Sequence, residues 1–314
     1  METPTAASPS VADVQPLGLN IRRLTIPSGD IAYVDEGDGP PIVLLHGAPL
    51  TSLGFVRVVR SLRSRCRVIA PDLPGFGQSH AAPTFAGTLA AYATSVQEFC
   101  ESLNLRRFVL FGCDAGACVG LAAAAAMCPL IAGLVIADTV PIPLTGRAWV
   151  IKMVLRHVVS SLPMRLLNRR LNLLPWLVAT VDPHRRPFSA SERSVLTRQY
   201  DSTVKRDRIL DMFAAMGHGD AFMRETAAKV SALLADKPAL LLFGQFDPVR
   251  FAGGVSRFKR LFPRADVVII PRERRFPILG AGNEVAAALE VWMRGLEQQP
   301  RIWPTAVAAD PVAG

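Results

Sequence analysis

Histidine is scarce in this chain. Five occur among 314 residues, at positions 46, 80, 157, 184 and 218, and none follows His218. Tyrosine is scarcer, with three, and aromatic residues make up only 7%. The arginines are scattered, so the basic stripe with interleaved aromatics that grips nucleic acid is missing, and no nucleic-acid partner is expected. The formal net charge of +9 reads as a solvated basic surface, or else as one that meets an anionic surface or substrate. The five cysteines, at 66, 100, 113, 118 and 128, are odd in number and have no zinc-site spacing. That excludes a disulfide framework and points to a reducing, cytoplasmic setting. No histidine–carboxylate cluster suggests a metal, and no motif calls for a cofactor. The first 20 residues lack the basic and apolar regions of a signal peptide. No segment is read as an integral membrane span, and nothing sets an oligomeric state.

What is present is hydrophobic material, 50% of the chain. Short apolar runs alternate with helical patterns: "PIVLLHG", "CRVIAPD", "RFVLFG", "IAGLVIAD", "PALLLFG" and "ADVVII" read as strands. Such alternation predicts an α/β fold with a mostly parallel sheet covered on both faces. From 141 to 237 the alternation stops. This segment reads as a helical insertion after the sixth strand, splitting a core of 21–140 and 238–298. Residues 1–20 and 299–314 read as flexible tails. "RAWVIKMVLRHVVSSLPMRLLNRRLNLLPWLV" is apolar with basic punctuation. It reads as a cap packed over the sheet, with peripheral membrane contact or a lipid-like substrate as the alternative.

The most informative stretch is "RRFVLFGCDAGACVG", Arg106–Gly120. An apolar strand turns into a helix through Gly-x-X-x-Gly, a geometry that presents a nucleophile at its centre. Here the centre is Asp114. A carboxylate there is either a nucleophile or a cap for the following helix. Cys113 and Cys118 read as small buried thiols.

In four segments taken in order, "HGAP" (46–49), "APDLPGFGQS" (70–79), "GCDAG" (112–116) and "LLFGQFDPV" (241–249), the chain resembles the α/β-hydrolase superfamily over roughly residues 22–298. Within it, the chain looks most like the haloalkane dehalogenase and epoxide hydrolase branch, whose nucleophile is an aspartate. The resemblance implies the α/β-hydrolase fold with a helical cap, and a hydrolase of a small apolar substrate: an epoxide, an ester or a carbon–halogen bond. It makes Asp114 the nucleophile, Asp247 or alternatively Asp138 the acid that orients a histidine, and the His46–Gly47–Ala48 loop with the Ala115 backbone the oxyanion site.

Three departures from the family follow from the same alignment. The histidine of the family's Gly-His-Phe-Pro stretch falls at Arg275, in "RERRFPIL". Arginine stays protonated and cannot accept a proton from water. Two halide donors common in dehalogenases, a tryptophan after the nucleophile and an asparagine in the oxyanion loop, are Ala115 and Ala48 here. Tyr200 is the only tyrosine available in the insertion as an acid for epoxide opening, or it is a packed aromatic. A histidine of the insertion, His157, His184 or His218, could replace the missing base.

Three readings therefore stand: a hydrolase with a displaced or missing base; a non-hydrolytic lyase, isomerase or cyclase with Asp114 as base and Arg274 or Arg275 binding an anion; and a binding protein on a hydrolase scaffold. The expectations are concrete. Asp114 ends a central strand at the mouth of the main pocket. The insertion covers that pocket with apolar walls such as Trp149, Trp176 and Phe222. Arg275 pairs with Asp114 or Asp247 and holds their pKa values down.

Overall fold

The computed structural model describes residues 18–139, 142–180 and 197–299. Two antiparallel strands, β1 (Ile21–Ile26) and β2 (Gly29–Glu36), open the fold. Then come β3 (Pro41–Leu45), α1 (Val56–Leu62), β4 (Arg67–Pro71), β5 (His80–Ala81), α2 (Leu89–Ser102), β6 (Phe108–Cys113), α3 (Ala115–Ala126) and β7 (Ile131–Ala137). A helical segment follows: α4 (Trp149–Met153), which runs on as a π-helix over Val154–Val159, then α5 (Leu162–Leu171), α6 (Leu173–Thr180), α7 (Thr203–His218) and α8 (Asp220–Leu233). The chain returns to the sheet with β8 (Ala239–Gly244), α9 (Pro248–Phe251), α10 (Gly254–Leu261), β9 (Asp266–Ile270), α11 (Pro277–Gly280) and α12 (Gly282–Glu297).

The sheet order is β1-β2-β4-β3-β6-β7-β8-β9, and β5 pairs with β2. From β4 across to β9 all pairings are parallel. Every residue of β6, β7 and β8 is buried, which is why these strands read as unbroken apolar runs rather than alternating ones. One core cluster lies on the α2–α3 face, the other on the α1–α12 face. The expected α/β-hydrolase fold is therefore present, with one correction. The insertion follows the seventh strand, because the two-residue β5 is too short to leave a sequence pattern.

The uncharged stretch from Ala115 to Ala137 is long enough to span a bilayer. It instead forms α3 and β7, with Pro129 between them. Among the described residues, no helix is long and apolar enough to cross a membrane. Leu19 and Asn20, read as part of the N-terminal tail, are held: Leu19 is buried and Asn20 N–H donates to Glu36 Oε1 at 2.8 Å.

The described residues of the insertion are mostly helical and include no strand. Ser161 and Ser202 cap α5 and α7 through bonds to the Met164 and Lys205 N–H groups. Ile209, Met212, Met216 and Met223 from α7 and α8 join the core cluster of the α2–α3 face. Topologically, the chain order reverses between β3 and β6. Ligands of open α/β sheets sit beyond the strand ends at such a point. The register pairs Leu45 with Gly112, Cys113 with Ala137 and Ala137 with Leu242. The residues just beyond β3, β6 and β7 are His46, Asp114 and Asp138.

Candidate active site

Asp114 sits at the turn from β6 to α3 with φ 52° and ψ −122°. Non-glycine residues rarely adopt this region, and such strain persists only where the surroundings enforce it. Three bonds do so. Asp114 N–H donates to Ala137 O at 3.2 Å, and its carbonyl accepts from Ala117 N–H at 3.1 Å and from Thr139 Oγ1 at 2.7 Å. The approach is also close. A Cβ on Gly116 would lie 2.4 Å from His46 O, and one on Gly47 would lie 2.4 Å from Asp114 Cβ. Although Asp114 holds the N-cap position of α3, its side chain makes no capping bond. The reading of this residue as a helix cap is thereby overturned.

The carboxylate is 1% exposed and bonded through Oδ1 to Arg275 Nη2, while Oδ2 has no hydrogen-bond partner. Of the two pairings open to Arg275, that with Asp114 is formed. Burial raises the Asp114 pKa, and Arg275 and the Ala115 N–H pull it down less strongly. This corrects the expected depression: the pocket is dry enough that desolvation outweighs the guanidinium. Arg275 itself is held firmly protonated, its burial more than offset by Asp114, Asp138 and Asp247. Its guanidinium also lies 5.2 Å from the Phe276 ring centroid.

Asp138 and Asp247, both fully buried, form the second half of the cluster. Asp138 Oδ2 accepts from the Phe276 N–H, which fixes Phe276 in a left-handed conformation (φ 62°, ψ 56°) and sets Arg275 against Asp114. Asp247 Oδ1 accepts from Val249 N–H at 2.8 Å and caps α9. Burial, and then the facing Asp247 carboxylate, push the Asp138 pKa well up. Asp138 therefore favours its protonated form, while Asp138 Oδ1 and Asp247 Oδ2 have no hydrogen-bond partner. The two candidate orienting acids thus occur together. Asp138 holds the Arg275 loop through Phe276, and no histidine among the described residues is bonded to either acid.

The remaining predicted residues take structural positions. His46 is buried, with Nε2 accepting from Leu73 N–H at 2.9 Å and Nδ1 donating to Gly47 O at 3.1 Å. Burial lowers its pKa, so the ring is neutral with both nitrogens engaged. Tyr200 is packed as an aromatic, but its hydroxyl is not solvated. It donates to Pro49 O at 2.8 Å and lies 3.2 Å from Leu50 O. Ala48 and Ala115 are small and buried. Cys113 packs within the sheet, and burial pushes the Cys118 thiol up to about 12. His80, His157 and His218 are exposed and make no bond to Asp114; His184 lies outside the described residues. Among the described residues, no group of three or more His, Cys, Asp or Glu could hold a metal ion.

Two expectations about the pocket fail. Trp149 and Trp176 are 55% and 51% exposed, on the outer surface. Phe222 lines a cavity of about 390 Å³ between α2, α3 and α8. A larger groove, about 920 Å³, runs along β8, β9 and α12. Asp114 lines neither. Sequence reasoning also missed Thr139, whose hydroxyl steadies the elbow, and Asp72. The Asp72 carboxylate receives the Ser52 and Gln78 N–H groups at 2.7 and 2.8 Å and shapes the loops beside the site. Asp72 was in view, in "APDLPGFGQS", but a loop-bracing aspartate has no signal apart from its partners.

Comparison with known proteins agrees with this fold. A family model described as alpha/beta hydrolase fold matches residues 40–280. Haloalkane dehalogenase 2 of Mycobacterium tuberculosis is 30% identical over 262 residues, 83% of this chain and 90% of that protein. The haloalkane dehalogenase DbeA of Bradyrhizobium elkani superposes with a TM-score of 0.76 at 18% identity, covering 89% of this chain and 99% of the other. A putative epoxide hydrolase of Pseudomonas aeruginosa gives 0.76 at 19% identity, covering 90% and 97%. At such identities the superpositions speak for the fold, and the family model and the 30% relative for descent. The chain belongs to the alpha/beta hydrolase family, in the branch that holds the haloalkane dehalogenases.

Proposed function

We propose that the protein uses Asp114 as a nucleophile toward an electrophilic sp3 carbon of a small apolar molecule, an epoxide in preference to an alkyl halide. The observation that carries this is the Asp114–Arg275 pair at the nucleophile elbow, with Oδ2 left unbonded. Attack by Oδ2 forms a carbon–oxygen ester bond and breaks the ring carbon–oxygen bond, and the alkoxide released takes a proton from water. Alkyl halides would react by loss of halide, but Ala115 and Ala48 offer no side-chain donor to it. The names of the relatives, haloalkane dehalogenases and epoxide hydrolases, support the reaction class. We read residues 141–237 as the cap of this site. Tyr200 supports that reading by fastening the segment to the loop after β3.

Hydrolysis of the ester needs a base for water. Arg275 stands where the base belongs, the Asp138–Asp247 pair is committed to the loop, and His46 has no free nitrogen. Losing general-base help costs about 10²–10⁴ in rate. The ester therefore accumulates. The test is intact mass spectrometry after incubation with a small reactive 1,2-epoxide. One adduct of the epoxide's mass, mapped to Asp114 and missing from Asp114→Asn, is expected. Arg275→His should release diol over repeated turnovers. Rapid turnover by the unmodified protein, abolished by His218→Ala but not by Arg275→Ala, would place the base in the insertion and refute this reading.

One observation favours a second reading. Asp114 is buried and already charge-compensated, as it would be in a binding protein that retains the scaffold. Failure of every epoxide to add to Asp114 selects that reading. A non-hydrolytic mechanism has less support, since Arg275 is engaged with Asp114 rather than open to an anionic substrate.

A further inference from the structure

From Thr139 to Val181 the chain contains no aspartate or glutamate, yet it carries six lysines and arginines. Within this stretch the inner side of the helices is used: Ile151, Leu155 and Leu174 pack against the core. The outer side is apolar as well. Val150, Val154 and Val158 follow at four-residue steps along α4 and its π-helical continuation. Leu162 and Leu166 follow on α5, and Trp149 and Trp176 flank them. All seven are between 44% and 66% exposed. A four-residue step drifts around an α-helix of 3.6 residues per turn. The wider π-helical turn counters that drift and keeps Val158 in the stripe. The π-helical turn and α5 touch each other and both rest on α7, so the two stripes form one face.

The charges on this face are sorted. Lys152, Arg165 and Arg169 are paired with Asp220, Asp211 and Asp207 of α7 and α8. Arg170 is exposed on α5, and no carboxylate among the described residues pairs with it, whereas Arg156 starts from the inner side, its Cβ packed against Gly217 of α7. An exposed apolar stripe flanked by tryptophan, bordered by a cation that no described carboxylate pairs and carried on a stretch with no acid of its own, matches a helix lying in the plane of a membrane interface.

We propose that the outer face of α4, its π-helical turn and α5 docks on the surface of a bilayer containing anionic phospholipid, with the apolar stripe entering the headgroup region and Arg170 meeting lipid phosphate. No described helix can span the membrane, so the attachment is peripheral. A large apolar patch on a basic protein could instead bury itself against a second copy of the chain, but the unpaired cations of two copies would then face each other. The inference does not depend on the chemistry at Asp114.

The test uses the full chain and vesicles of phosphatidylcholine alone or with an equal part of phosphatidylglycerol, read by flotation. Binding to the anionic vesicles is expected, falling steeply with salt because exposed charges are screened. Arg170→Gln should weaken binding by about fivefold. Leu162→Ser with Leu166→Ser should weaken it at least as much, although it changes no charge. Circular dichroism should show both variants folded, since all three side chains are exposed at the surface. Three results would overturn the proposal: no flotation at low salt; flotation unchanged by the leucine variant, which would mean diffuse attraction to the +9 charge; or a concentration-dependent dimer that the leucine variant abolishes, which would make a second copy the occupant.

Discussion

Three buried carboxyl groups, Asp114, Asp138 and Asp247, share one site with the half-buried Arg275, and one guanidinium cannot balance all three as anions. Asp138 carries the strongest upward push, from burial and from Asp247. An aspartate in the unfolded chain titrates near 3.9. Between that value and the raised folded value, the native state holds a proton that the unfolded chain has released. Stability therefore falls as pH rises through this window, the reverse of a salt-bridged aspartate. Asp138→Asn keeps an oxygen for the Phe276 N–H and supplies an NH₂ for Asp247. Urea midpoints at pH 5 and pH 8 should differ less in this variant than in the wild type, with the gain at pH 8. Parallel pH profiles for the two proteins would show that Asp138 is ionised in the fold. These four residues were legible because strand ends and motifs mark them. That Arg275 pairs with Asp114 and not Asp247 was not legible, because it depends on the left-handed turn at Phe276. Nor was the direction of the Asp114 shift, which depends on how dry the site is.

Secondary-structure elements were read well where burial is complete. β6, β7 and β8 are apolar from end to end, and no helix-forming pattern competes. Reading failed where a pattern does not encode which way it faces. "RAWVIKMVLRHVV" is apolar and basic whether it roofs a pocket or faces outward. Trp149 lies outside because Ile151 and Leu155 already fill the inner side. Tyr200 was ambiguous for the same reason: its partner, Pro49, lies 151 residues away. The bond from Tyr200 Oη to Pro49 O ties the insertion to the loop after β3, and it separates a structural from a catalytic hydroxyl. Tyr200→Phe leaves the buried carbonyl without its donor, at a cost of about 1–3 kcal/mol, visible as a lower melting temperature. Epoxide addition to Asp114 in the remaining folded protein should keep its rate. An addition rate reduced about a hundredfold at unchanged melting temperature would instead make Tyr200 the proton donor.

At the scale of the whole molecule, the sheet gathers its carboxylates at the C-terminal strand ends, while the +9 excess is carried elsewhere, in part on an acid-free helical segment. The alternation of strands and helices made the overall architecture legible. The exposed face was not, since hydropathy counts an outward valine and a core valine alike. The same insertion carries that face and, through Tyr200, touches the loop beside Asp114. A protein held at a bilayer by this segment meets electrophiles dissolved in the lipid at a far higher local concentration than in water. A long-chain 1,2-epoxide in phosphatidylglycerol-containing vesicles should therefore label Asp114 faster than the same epoxide in phosphatidylcholine vesicles. The advantage should vanish at high salt and in Leu162→Ser with Leu166→Ser. A short water-soluble epoxide should label both proteins at one rate, with or without vesicles. Adduct mass against time measures all of these. Equal labelling from both vesicle types, in a protein shown to float with the anionic ones, would mean that docking and the chemistry at Asp114 are uncoupled.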